Sequence, residues 1–599
     1  MAASANISSG GVATFVVKVG GNPVPDELLV LSVHIEKRVN RISTAKIMIL
    51  DGEANTGKFD VSSSDTFIPG AELTVEAGYN SVNKVIFKGI ITRQSIHING
   101  SVGSALEVEC RDSAVKMIVG RKSLTFSKQK DSDIISSIIG TYSGLSAKVT
   151  ATETTWPEQV QYYVTDWDFI VSLAEMNGMI VTTLNGTVAV SPPDADPTAV
   201  LTIKYGDNLL EFKADMNAVT QLGNVKASTW DYKNQVVSSA ASSNDHAGPG
   251  NISSKTLSEV LGLKDYQLQT TAPLESADLT GWSKAQLVKS EYAKIQGEVK
   301  FQGTGLADPG MYITLQGIGD RFSGDHFVSG IVHDLSNGNW ITEAAIGLSP
   351  LWFIEEPDVM SPAASGLLPG ARGLFNGTVK KMYEDPDTQF RILVDVPLFD
   401  QDGAGIWARL SNFYSTNGAG AFFLPEVGDE VVLGFLNEDP RCPVILGSLY
   451  SSSKLQPYTG LVPNEKNSIK AIVSKSKIAI EFDDENKVLT IVTPDKNTMI
   501  FSDKDKKITI EDEHKNSIVL SADGITIKSP GDINIQADKK INLKGTQGIT
   551  VQASGGDVTT TGINIKETAD SQYSAEGGET AQIQSGMEMM LKSAMIMIN

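Results

Sequence analysis

Between Gly524 and Ile565 the chain repeats one short phrase, and read in blocks of eight it runs GITIKSPG, DINIQADK, KINLKGTQ, GITVQASG. The first aliphatic residue of each block falls at Ile525, Ile533, Ile541 and Ile549, and a second follows two places later at Ile527, Ile535, Leu543 and Val551. Apolar residues two apart, with Thr or Asn between them, follow the period of a strand buried on one face. Each block is therefore predicted to be a short strand and a polar corner. Looser copies of the phrase stand upstream at Lys477–Phe482, Val488–Val492, Met499–Phe501, Ile508–Ile510 and Ile518–Leu520, and INI at Ile563–Ile565 carries it on.

Two apolar side chains per eight residues cannot enclose a core alone, and a single-chain β-helix needs a coil of roughly 18 residues or more. Three identical chains around one axis solve both problems, because each isoleucine then meets its copies and every strand edge finds a partner. The eight aliphatic residues from Ile525 to Val551 are the expected trimer core. An antiparallel meander within one chain is the competing arrangement. The polar corners, with no two-residue Asn-Gly or Asp-Gly turn between octads, argue against it.

Upstream, alternating runs from about Leu28 to Cys110 (LLVLSVHIE, AKIMIL, ELTVEAG, KVIFKGIIT, ALEVEC) predict a barrel or closed meander. Helices are expected at Asp131–Tyr142, with Ile134, Ile135, Ile138 and Ile139 on one face, and in TDWDFIVSLAEMNG, where Thr165 caps, Asp168 stands three residues on and Gly178 stops the helix. A second strand-rich unit from Met179, interrupted by a polar loop at Ser238–Ser254 and a helix at Lys284–Gln296, predicts two barrels side by side. Pro357, Pro362 and Pro369 mark a boundary. Short strands from Gly373 to Tyr450 suit a five-stranded OB-type barrel.

At 599 residues, with 41% hydrophobic and 20% charged residues, the chain is long enough for three or four domains. Its net charge of −21 disfavours nucleic acid as a partner. Cys110 and Cys442 stand far apart, so neither a disulfide framework nor a thiolate metal site is expected, and both are read as buried free thiols. No signal peptide or membrane span is read from the chain.

Catalytic, cofactor-binding and metal residues are expected to be absent. The histidines at 34, 97, 246, 326, 333 and 514 form no HExxH, HxH or Ser/His/Asp arrangement. Glu511, Asp512 and Glu513 fall in a corner between repeats, where solvated charge is expected. A cell-wall hydrolase carried on a trimeric β-scaffold is the alternative function, and it lacks residues to perform it.

The run PEVGDEVVLGFLNEDPRCPVILGSLY, Pro425 to Tyr450, resembles the end of the OB domain in VgrG proteins and in the baseplate spike proteins of contractile phage tails. The FKGII of Phe87–Ile91 and the stretch from Gln161 to Gly178 resemble the hub of that family, and the octads resemble its needle. The implied fold is mainly β: tandem β-barrel hub domains with a few helices at 1–369, an OB-fold barrel at 370–450, a linker at 451–466, and a trimeric intertwined β-helix spike at 467–599.

The resemblance implies a homotrimer that joins an inner tube ring and other baseplate proteins to a piercing needle capped by a PAAR-type tip protein. It also implies effector cargo and transient contact with a target membrane. Such a spike is made in the cytoplasm and leaves within a contractile particle, whether a type VI secretion system, an extracellular injection system or a phage tail. The methionine-rich run Met587–Asn599 is expected to continue the needle core and to dock the tip protein through Met595, Ile596, Met597, Ile598 and Asn599.

Overall fold

Alternation along the first half of the chain is realised as strands whose inward side chains are almost wholly buried. In Val30–Arg38, Val33 and Ile35 point into the core, and in Thr44–Leu50 Ala45, Ile47 and Ile49 do so. The computed structural model describes residues 3–4, 11–100, 103–357, 359–399, 403–452, 456 and 463–598, and the chain divides into two units, Met1–Ser448 and Leu449–Asn599.

In the first unit, Val30–Arg38, Thr44–Leu50, Gly103–Arg111, Val82–Asn99, Glu72–Tyr79 and Ala13–Val19 lie side by side in that order. Val30–Arg38 is also hydrogen-bonded on its other side to Gly324–Ser336, which leads into Tyr312–Gln316, Asn339–Ile346 and Ile295–Gln302. The two expected barrels are therefore joined in one 14-stranded sheet. The seam between residues 30–38 and 324–336 spares both strands an open edge. Each half keeps its own core, one around Ile47, Phe67 and Phe87 and the other around Phe301, Ile313 and Ile331.

The helices among the described residues follow the same logic. Helix α1 (Asp131–Gly140) and helix α2 (Asp166–Met176) bury Ile134, Ile135, Ile138 and Ile139 against Ile170, Leu173 and Ala174. Thr165 caps α2, accepting from the Asp168 N–H at 3.1 Å, and Gly178 turns the chain away at φ +69°. Helix α3 (Ser254–Ser258) is short, and helix α4 spans Ser276–Tyr292. The sequence placed α4 at 284–296. A capping box between Glu275 and Asp278 starts it earlier, and recruitment of Ile295–Gln302 into the sheet ends it sooner. The polar loop expected at Ser238–Ser254 is also partly a strand, since Val236–Ser243 pairs with Asn224–Asp231 and lies against α4.

Residues 375–448 close a five-stranded barrel in the order Phe375–Lys381, Ile392–Asp395, Ile406–Leu410, Pro443–Ser448, Glu430–Phe435. Its interior is filled by Val379, Ile392, Val394, Ala408, Val431, Leu433 and Ile445. Of the two thiols, Cys110 is buried, whereas Cys442 is exposed in the turn before the last barrel strand, contrary to its reading as a buried residue.

The second unit corrects the sequence reading in two ways. First, the looser upstream runs Ile469–Val473, Ala479–Asp483, Val488–Val492, Thr498–Ser502, Lys507–Glu511 and Ser517–Ser521 form a seven-stranded antiparallel meander with the first octad strand, Gly524–Lys528, rather than continuing the octad arrangement. Its connections are mostly loops of five and four residues in alternation rather than two-residue turns. Lys477, Lys487, Lys496, Lys506 and Lys515 each take the left-handed conformation there. Side-chain caps hold these loops, with Ser474, Asp483, Thr493, Ser502 and Asp512 each accepting a backbone N–H from within its own loop.

Second, of the octads only the first forms a strand, Gly524–Lys528, and among the described residues beyond it no strand ladder is made. A ladder needs a neighbour, and one chain running forward in octads brings none alongside.

Candidate functional site

The register of the meander decides which side chains share a face, because directly paired residues point the same way. One face carries the row Ile472, Ile480, Ile491, Met499, Ile510, Ile518, Ile527. Beside it runs a second row of Lys470, Phe482, Leu489, Phe501, Ile508, Leu520, Ile525. Every member but Lys470 is apolar. The opposite face is mixed, with rows such as Ala471, Glu481, Thr490, Ile500, Thr509, Val519, Thr526.

Within one chain the apolar face is left open: Ile472 is 54% exposed and Ile527 56%. Burying side chains of this size contributes about 1.5–3 kcal/mol each. The two rows end on Ile527 and Ile525, the aliphatic pair of the first octad, so the octad pattern begins on the apolar face of the meander.

Beyond Lys528 the expected core residues Ile533, Ile535, Ile541, Leu543, Ile549 and Val551 are all exposed, as are Met595, Ile596, Met597 and Ile598. Asn599 lies outside the described residues. The backbone bends at 530–531, 538–539, 546–547, 554–556, 563, 570–571, 578–579, 586–587 and 594, so the period of eight continues past the point where the aliphatic pattern fades. This corrects one assignment. Ile563 sits at a bend, fully exposed, and Ile565 occupies the position equivalent to Ile549.

Several of the candidate side chains make structural contacts. Asp512 caps its loop, accepting from the N–H groups of His514 and Asn516. His34 pairs with Asp334 at 2.6 Å, and the His246 ring lies tilted against Tyr292. His333 is fully buried against Thr342, and burial drives its pKa well below the usual range, which favours the neutral ring. Burial and the adjacent Glu109 push the Cys110 thiol up to about 12, which disfavours the thiolate form. Among the described residues, no group of three or more His, Cys, Asp and Glu side chains is placed to hold a metal ion.

Residues 9–337, more than half of the chain, match the family model described as the Alg8 N-terminal domain. The chain belongs to the Alg8 N-terminal domain family. Further along this family member, residues 375–450 match the type VI secretion system/phage-baseplate injector OB domain. That match covers the closed barrel and the motif run from Pro425 to Tyr450, so the VgrG-like character read from those residues holds.

Curated relatives of this Alg8-family chain carry spike names. It is 26% identical over 83 residues to the type VI secretion system spike protein VgrG1a of Pseudomonas aeruginosa strain PAO1, a match covering 14% of this chain and 13% of that one. It is 38% identical over 53 residues to the actin cross-linking toxin VgrG1 of Vibrio cholerae serotype O1, covering 9% of this chain and 5% of that one. The matches thus span only about an eighth or less of these relatives. Among solved structures, the 43 kDa tail protein of prophage MuSo2 from Shewanella oneidensis aligns at 12% identity over 56% of this chain and 98% of its own, with a TM-score of 0.43.

Among the described residues, no helix is long and apolar enough to cross a membrane.

Proposed function

We propose that this chain is the homotrimeric spike and baseplate hub of a contractile injection machine and acts mechanically rather than as an enzyme. The observation that carries this reading is the uncovered pair of apolar rows running from the meander into the octads. In a three-chain needle each copy covers the others, and the octads gain the neighbours that one chain cannot supply.

In this reading residues 1–369 form the hub that seats on an inner tube ring and other baseplate proteins. Residues 370–450 form the OB collar, 451–466 a linker, and 467–599 the needle. The run from Met587 docks a PAAR-type tip protein through Met595 to Asn599, because methionine side chains adapt to a partner's surface. Effector cargo rides on the spike, the particle carries it out of the producing cell, and the needle meets the target membrane only transiently.

Light scattering on the purified full chain tests the central claim. Three chain masses are expected, and a monomer at micromolar concentration would overturn it. Deleting residues 587–599 should leave the trimer intact while a co-expressed tip protein no longer copurifies. Undiminished copurification would return these methionines to the needle core alone.

A further inference from the structure

Four octads from Ile525 to Val551 are nearly interchangeable, and this creates a problem for any assembly built from them. Sliding one chain by eight residues sets Ile533 beside Ile541 and Ile535 beside Leu543 with almost no loss of packing. A needle of identical octads therefore has several registers of similar energy, in the way that uniformly apolar strands and coiled coils do.

The backbone period shows where that degeneracy is broken. With bends at 554–556, 563 and 570–571, the positions equivalent to Ile549 and Val551 fall on Asp557 and Thr559, then on Ile565 and Glu567, then on Tyr573 and Ala575. Ile533, Ile541 and Ile549 are 50%, 51% and 56% exposed, Ile565 matches them at 56% and Met589 is 47% exposed, while Tyr573 and Met597 in the same series stand further out at 66% and 82%. Glu567 and Tyr573 share this surface, and the Glu567 carboxylate lies against the Tyr573 hydroxyl and raises its pKa.

Resting on the three-chain reading above, we propose that Asp557, Thr559 and Glu567 are register-setting residues that allow only one alignment of the three chains. In register, the three Asp557 side chains share one polar layer with the three Thr559 hydroxyls, where water and hydrogen bonds serve them together. A slip of one octad places a single Asp557 in a layer otherwise filled by Ile549 or Ile565, where its charge is unpaired and desolvated, and sets a single Glu567 carboxylate beside Thr559 or Ala575 of its neighbours. The wrong register is thereby penalised although the aliphatic octads tolerate it. Placing the polar layers between Val551 and the distal positions Ile583, Met589 and Leu591 penalises slips in either direction.

The test uses the full chain with Cys442→Ser, leaving buried Cys110 in place, and one spin label at Asn542→Cys. Light scattering comes first and judges the trimer by itself: a monomer at this stage would refute the three-chain reading and, with it, register setting. In the trimer, three equivalent labels should give one interlabel distance. With Asp557→Ile and Glu567→Ile added, the trimer should persist while the distribution splits into several distances. The polar pair Asp557→Asn and Glu567→Gln should keep the single distance. A single distance in the isoleucine variant overturns the proposal. Loss of the trimer in that variant also overturns it, since these residues would then supply stability rather than alignment.

Discussion

Ile527 lies directly across the strand from Ile518, at the end of an apolar row that begins at Ile472. That pairing joins the two parts of the C-terminal unit. The octad pattern starts on the same face that the meander has already made apolar. A single sheet with one open apolar face is a poor stopping point for folding, because side chains that drive burial elsewhere stay half in water.

The first prediction follows from that face. Ile533→Asp with Ile541→Asp would set three charges into each of two dry layers of a trimeric needle, at a cost of several kcal/mol per layer. Light scattering should show the trimer lost while the barrel of residues 375–448 stays folded. An intact trimer would mean that these residues face solvent.

A second prediction concerns the joint between α2 and α4. Lys289 donates to Glu175 at 2.6 Å and to the Leu351 carbonyl at 2.7 Å, while Glu175 also accepts from Asn40 and from the Phe353 N–H. Both side chains are nearly buried. Lys289→Met strands the carboxylate and should cost about 3–5 kcal/mol. Adding Glu175→Gln should recover much of the loss in thermal denaturation, and equal melting of the two variants would show that the charge pair is not the cause.

Proton linkage supplies a third. Burial, with Asp245 and Asp194 nearby, raises Glu291 from 4.5 to about 7. A carboxyl raised on folding binds its proton more tightly in the native state. Its contribution to stability is therefore fully present below about 4.5 and is lost as pH rises through about 7. Glu291→Gln should flatten the melting temperature between pH 5 and 8 relative to the parent chain, and an unchanged slope would assign the dependence to other groups.

The fourth lies in the barrel. Arg391 grips Asp385 through Nε and Nη2 at 3.0 and 2.7 Å and holds its pKa far below the usual carboxylate range. The same carboxylate accepts the N–H groups of Asp387, Gln389 and Arg391, while Glu384, Thr388 and Phe390 sit at positive φ. Asp385→Ala should let this loop relax, raising hydrogen exchange across residues 384–391 by at least tenfold without unfolding the barrel. Unchanged exchange would show that the loop is held from elsewhere.

Much of this protein could be read locally. The α2 cap at Thr165, the stop at Gly178, the five barrel strands and the octad period each depend on residues a few places apart, and such short-range patterns survive in any context. The extent of α4 could not be read this way, because its end depends on Ile295 joining a strand far away in the chain. Nor could the fusion of two strand-rich halves into one sheet, since the pairing of residues 30–38 with 324–336 joins segments with no common local signal. The sequence by itself determined that apolar residues recur at every second place within each short strand, a period set by backbone geometry. Only the tertiary structure decided which of those residues share a face, because cross-strand register places Ile472 and Ile527 in one row and leaves Ile563 at a bend outside it.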